Sequence, residues 1–203
     1  MRTFSAIAIL LLTTLSSGLG AQETLIEWPY VGAEQGHSKY SSVDQINRSN
    51  VDQLEIVWEW EPNEMPLQEY GTRPGAFQAT PLMIDNVLYV STMYTRVVAL
   101  DAETGAELWA FDPKAYEAGP QGAGPGGFKH RGIAYWSSGP HSRIFLNSRD
   151  RLYALDAKNG LLDENFGEGG STLLTEGHGR PVSRNDFDQT SPPVVFEDLV
   201  IVG

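Results

Sequence analysis

Ala99-Leu-Asp-Ala-Glu-Thr-Gly105, with Trp109 four residues on, recurs as Ala154-Leu-Asp-Ala-Lys-Asn-Gly160, a shift of 55 positions. Working outward, each copy is preceded by two short β-branched or aromatic runs. These are Val87-Leu-Tyr-Val90 and Arg96-Val-Val-Ala-Leu100 before the first, and Arg143-Ile-Phe-Leu146 and Arg151-Leu-Tyr-Ala-Leu155 before the second. A third unit opens at Gln189-Thr-Ser-Pro-Pro-Val-Val195 and runs into Leu199-Val-Ile-Val202, echoing Gln78-Ala-Thr-Pro-Leu-Met-Ile84. Runs of this length and composition read as strands. Asp85-Asn86 and Glu197-Asp198 are the two-residue hairpin turns between them. In Asp101-Ala-Glu-Thr-Gly105 the aspartate can accept backbone N–H bonds, and the glycine can take the positive φ that closes a tight turn. A period of this size built from short strands predicts an all-β chain forming blades of a β-propeller. Doubly wound α/β is disfavoured, because no crossover helix pattern separates the runs. The stretch Asp44–Leu54 is expected to form a short helix, and Val57–Trp60 a strand. Trp109 is expected to dock between blades, whereas Glu164 stands where the second copy should carry its tryptophan, so that contact must be made differently.

Composition narrows the function. The 203 residues carry 14 Lys plus Arg against 26 Asp plus Glu, a net charge of −12, which argues against nucleic acid and anionic membrane surfaces as partners. With no cysteine there is no disulfide framework, thiolate zinc site or thiol nucleophile. Residues 1–21 read as a signal peptide: Arg2, an apolar stretch from Ala6 to Leu15, and small residues at Gly18, Gly20 and Ala21. The expected location is the periplasm, and a retained anchor at the inner membrane is the alternative. Residues 22–203 would be the folded part. Two repeats and a fragment cannot close a ring of roughly four to eight blades, so an N-terminal piece of a longer propeller is expected.

The pattern Ala-x-Asp-x-x-x-Gly-x-x-x-Trp at Ala99–Trp109 resembles the tryptophan-docking repeat of pyrroloquinoline quinone (PQQ) dehydrogenases. So do Glu27-Trp-Pro-Tyr-Val-Gly-Ala33, Lys39 to Leu54 with Val57-Trp58, and Arg131-Gly-Ile-Ala-Tyr-Trp136, all in family order. Gln189-Thr-Ser-Pro-Pro193 and the degenerate second repeat make the glucose dehydrogenase branch the most similar. The resemblance implies an eight-bladed propeller, PQQ as cofactor and calcium as Lewis acid. It also implies a sugar or alcohol substrate, and ubiquinone or a periplasmic cytochrome as electron acceptor.

Three residues carry the implied cofactor contacts. Arg131 has a planar cationic fork suited to a carboxylate of PQQ, or alternatively to an acidic residue of the chain itself. Gln78 stands where many relatives have Glu, and its amide can still bond a carboxylate or quinone oxygen. Thr190 lies near the family's cofactor-binding threonine, with Gln189 the alternative register. By the family's order the calcium ligands and the catalytic aspartate lie beyond Gly203, so no catalytic or metal residue is assigned here. A non-catalytic propeller serving as a binding or outer-membrane assembly scaffold is the rival reading. Gly122-Ala-Gly124-Pro-Gly-Gly127 satisfies G-x-G-x-x-G, but Pro125 and the absence of a βαβ unit argue against dinucleotide binding. His37, His130, His141 and His178 are scattered without metal-ligand spacing, and Asn47-Arg-Ser49 is taken as a chance sequon.

Overall fold

In the computed structural model, residues 27–121, 127–182 and 188–203 are described. The expected leader at 1–21 and most of the glycine-rich run at 122–127 lie outside them. The strands fall where the β-branched runs predict. Strands β1 (Leu82–Ile84), β2 (Val87–Ser91), β3 (Val97–Asp101) and β4 (Glu107–Phe111) form one antiparallel meander. A second meander joins β5 (Ala134–Ser138), β6 (His141–Ser148), β7 (Arg151–Asp156) and β8 (Ser171–Leu173), and β9 (Val194–Phe196) with β10 (Leu199–Ile201) forms a third hairpin. The first hairpin turns on Asp85 and Asn86, both at positive φ (51° and 62°), the geometry whose twist matches a strand pair. The third turns on Glu197 at φ 52°.

Both faces of the central strands are covered, which is why β3 is a nearly continuous apolar run rather than an alternating one. Val97 and Ala99 pack with Leu82, Ile84 and Tyr89 against Ile144, Leu146 and Leu155 of the second sheet and Ile133 just before it. On the opposite face Val98 and Leu100 join Val90 against Trp60 and Ala79. The second sheet repeats the arrangement, with Phe145, Leu152 and Ala154 facing Val195 of the third. Sheets stacked face to face in chain order are propeller blades. Trp28 covers the β1 edge of the first blade by exchanging both backbone bonds with Met83, at 2.7 and 3.1 Å.

Two local expectations need correction. The stretch Asp44–Leu54 contributes only a single 3₁₀ turn, Val51–Gln53, because its side chains pack against no core: none of the three residues is buried. Val57–Trp60 is extended but pairs with no strand among the described residues. Side-chain bonds hold it instead. The Trp58 indole donates to the Ala102 carbonyl at 3.2 Å, and that of Trp60 to Glu107 Oε1 at 2.8 Å. Alternation turns Val57 away from the Trp58–Trp60 face and leaves it 83% exposed, and Ile56, on the same face as the two tryptophans but beyond their contacts, is 79% exposed.

The repeat motif explains itself in this geometry. Asp101 Oδ1 accepts from the Thr104 amide (2.8 Å) and hydroxyl (2.7 Å), which hold its carboxyl below the usual range. Gly105 sits at φ 71°, and its amide closes the turn onto the Asp101 carbonyl at 2.8 Å. The missing side chain has a second purpose: a β-carbon there would lie 2.6 Å from Trp58. One blade on, Trp109 lies over Gly160 in the same way and donates to the Ala157 carbonyl at 3.1 Å. Each tryptophan therefore docks on the Asp–Ala…Gly turn of the following blade. The second copy, lacking its tryptophan, uses Phe166, which packs edge-on to Phe145 at 5.4 Å within the cluster that includes Val195.

Candidate cofactor site

Three loop segments meet at the ends of these blades. The Thr80 amide donates to the Arg131 carbonyl at 3.0 Å, and the Arg131 amide donates to the Thr190 carbonyl at 2.9 Å. Arg131 thus lies between the stretch leading into β1 and the stretch leading into β9. Its guanidinium also reaches sideways, and Nη1 donates to Thr190 Oγ1 at 2.5 Å. Of the three residues singled out from the sequence, the structure brings Arg131 and Thr190 into direct contact. Gln78 is exposed and stands two residues before Thr80 on the neighbouring segment, without a hydrogen bond to either.

Arg131 is exposed, and among the described residues no carboxylate lies within ion-pair distance of it. The contrast with Arg143 is instructive: that guanidinium is half-buried and held by Asp163 at 2.5 Å. An arginine anchored by backbone and a hydroxyl, with its charge matched by no carboxylate among the described residues, fits an anionic, planar ligand bearing carboxylates.

Behind this surface lies a buried polar network that sequence reasoning missed. His130 is 1% exposed; Nδ1 is 2.9 Å from Ser91 Oγ and Nε2 is 3.2 Å from Asn147 Oδ1. Asn147, fully buried, donates its Nδ2 to the Ser191 carbonyl (2.8 Å) and to Gln189 Oε1 (3.2 Å). Burial pushes the imidazole down to about 4, with the adjacent Arg131 charge adding to the effect. The ring is therefore neutral at physiological pH. The only sequence signal was position, since His130 immediately precedes the Arg131 segment.

Further from the site, Arg149 donates to the Ala115 and Gly119 carbonyls and stacks over Phe128, tying down the short turn Ala115–Ala118. Among the described residues no group of three or more His, Cys, Asp or Glu side chains is placed to hold a metal ion.

A family model described as "PQQ: Glucose/ethanol/alcohol dehydrogenase, beta-propeller domain" matches residues 28–203. The chain belongs to this family. The family chain is 31% identical to the quinohemoprotein alcohol dehydrogenase of Comamonas testosteroni over 87% of its own length and 22% of that protein's. It is 28% identical to the quinoprotein glucose dehydrogenase of Gluconobacter oxydans (strain 621H), over 87% of its length and 23% of the relative's. The crystal structure of the Comamonas testosteroni enzyme superposes with a TM-score of 0.66 at 27% identity, covering 88% of this chain and 23% of that one. This PQQ-family chain therefore spans less than a quarter of the length of these relatives. Alcohol and glucose dehydrogenases both appear among them at similar identity.

Proposed function

We propose that this chain is the N-terminal part of an exported, periplasmic PQQ-dependent dehydrogenase that oxidises a sugar or a simple alcohol and passes electrons to ubiquinone or a periplasmic cytochrome. The observation that carries this reading is the Arg131 fork: exposed, anchored through Thr190, and without a carboxylate partner among the described residues. In this reading Arg131 binds a PQQ carboxylate or quinone oxygen, Thr190 fixes the fork and offers its hydroxyl, and Gln78 supplies an amide from the neighbouring segment. When bound, PQQ supplies an orthoquinone that accepts a hydride from the alcohol carbon, with calcium as the Lewis acid. In this reading the calcium ligands and the proton-accepting carboxylate lie beyond residue 203. The contribution of residues 27–203 is binding and orientation of the cofactor's anionic edge.

The test is a PQQ titration of the full-length apoprotein followed by dye-linked oxidation of glucose and ethanol. Arg131→Ala removes a charge-assisted bond of about 1.5–3 kcal/mol, a loss of roughly 10- to 150-fold in affinity. Arg131→Lys should recover only part of it, because the planar fork is lost. Unchanged half-saturation in a folded Arg131→Ala protein would show the residue to be structural. No PQQ binding by the wild type would favour the non-catalytic scaffold.

A further inference from the structure

The buried network behind Arg131 has a single consistent direction. The Ser191 carbonyl can only accept, so the atom of Asn147 facing it at 2.8 Å must be Nδ2. That orients the amide and turns Oδ1 towards His130 Nε2, at 3.2 Å. An acceptor at that position requires Nε2 to carry the proton. In the neutral ring Nδ1 is then an acceptor, and the Ser91 hydroxyl, 2.9 Å away, must donate to it. Ser91, His130 and Asn147 are each at most 1% exposed, so none can exchange its partner for water.

The chain of bonds starts on β2 of the first blade, crosses through residue 130, enters the second blade at β6 and ends on the stretch leading into the third. It bonds Gln189 and Ser191, the two neighbours of Thr190. It also passes through the residue immediately before Arg131, whose own amide is bonded to the Thr190 carbonyl. On this basis we infer that His130, held as its Nε2–H tautomer between Ser91 and Asn147, is a positioning residue that sets the Arg131–Thr190 pair for an anionic cofactor. The inference rests on the cofactor reading for its consequence but not for its geometry. His130 itself touches no ligand. It fixes the amide of Asn147, and Asn147 pins both sides of Thr190. A missing Nε2–H leaves a buried acceptor unpaired and frees the Gln189–Ser191 stretch to shift.

Two substitutions separate the bonds of the ring while keeping a polar side chain. In His130→Gln the terminal NH₂ reaches the Nε2 position and keeps the bond to Asn147. In His130→Asn the shorter amide reaches only towards Ser91. Hydrogen exchange of the Arg131 amide in the full-length apoprotein gives a readout that needs no cofactor. PQQ titration of the same proteins, followed by quenching of intrinsic fluorescence, gives the second. Protection at Arg131 should persist in wild type and His130→Gln and fall in His130→Asn. The half-saturating PQQ concentration should rise about tenfold in His130→Asn, the effect of one lost hydrogen bond, and less than about threefold in His130→Gln. Equal protection in all three folded proteins, or equal loss in both variants, would overturn the relay. Protection that follows the relay in a wild type that does not bind PQQ would sustain the positioning geometry and reject the cofactor reading.

Discussion

The first and second blades are joined by two seams of opposite character. At the outer one Trp109 lies over Gly160 and donates to the Ala157 carbonyl, which also accepts from the Tyr89 hydroxyl at 3.1 Å. This contact is mostly ring against backbone, and it recurs between Trp58 and Gly105. The inner seam is polar: Ser91, His130 and Asn147, with Thr95 and Ser148 sharing a 2.7 Å hydroxyl bond. An apolar docking contact tolerates small shifts at modest cost, whereas a buried polar seam is right only when every donor meets its acceptor. Stability should therefore reside outside, and the orientation of Arg131 inside.

The largest effect expected is on the outer seam. Trp109 is half-buried, so Trp109→Ala should cost about 3 kcal/mol, the lower end for a large aromatic, seen as a lowered unfolding midpoint of the full-length protein. PQQ affinity measured well below that midpoint should be unchanged. A variant that loses affinity but keeps its midpoint would reverse the roles assigned to the two seams.

Next in size is the glycine beneath the ring. Gly160→Ala forces a side chain into φ 72° and into Trp109, whereas Gly139→Ala, at φ 57° in the β5–β6 turn, meets nothing within 4 Å. Both should show the left-handed backbone term of about 1 kcal/mol. Gly160→Ala should lose roughly 1 kcal/mol more, in line with overpacking. Equal costs from denaturant midpoints would mean that the ring contact adds nothing.

These two seams also mark what could be read from the sequence. The outer one was legible because a repeating turn needs Asp to cap it and Gly to bend it, so the spacing from Ala99 to Trp109 carries geometry. Trp58 belongs to a terminal segment with no repeat turn ahead of it, so nothing in its spacing announces its docking on Gly105. Arg131 and Thr190 are each legible singly, and their contact depends on the loop ladder, which no periodicity encodes. The inner network was illegible for the same reason. Its members come from four separate segments, and a lone histidine such as His130 has no pattern until folding supplies Ser91 and Asn147. Val57–Trp60, without a ladder partner among the described residues, shows the opposite case, in which a strand pattern does not ensure pairing.

The inner seam carries a pH signature. The imidazole of His130 is about 4 in the folded state against about 6.5 unfolded, so the unfolded chain binds more protons between those values. Stability should fall as pH is lowered from 6.5 towards 4 and lose no more to this group below that. At pH 5 the loss is about 2 kcal/mol. His130→Gln removes the titration while keeping the bond to Asn147, so its unfolding midpoint should vary less with pH across this window. The carboxylates titrate equally in both proteins, and parallel profiles would place the His130 ring in contact with solvent.

The smallest effect distinguishes the seams by additivity. Thr95 and Ser148 are buried, at 0% and 3% exposure, and their hydroxyls bond across the blade boundary. Removing either one strands the other without water, at about 1–3 kcal/mol. Removing both leaves no unsatisfied hydroxyl at the pair. The double variant Thr95→Ala with Ser148→Ala should therefore cost less than the sum of the singles, by about 1 kcal/mol. Trp109→Ala combined with Phe166→Ala serves as the reference, because these side chains lie on different boundaries and should add within about 0.5 kcal/mol. Chemical denaturation of the four single and two double variants measures both sums. Non-additivity confined to the hydroxyl pair is the mark of a boundary held by matched donors. Additivity at both pairs would mean that the polar seam, like the apolar one, stabilises contact by contact, and that it carries no orientation from Ser91 to Arg131.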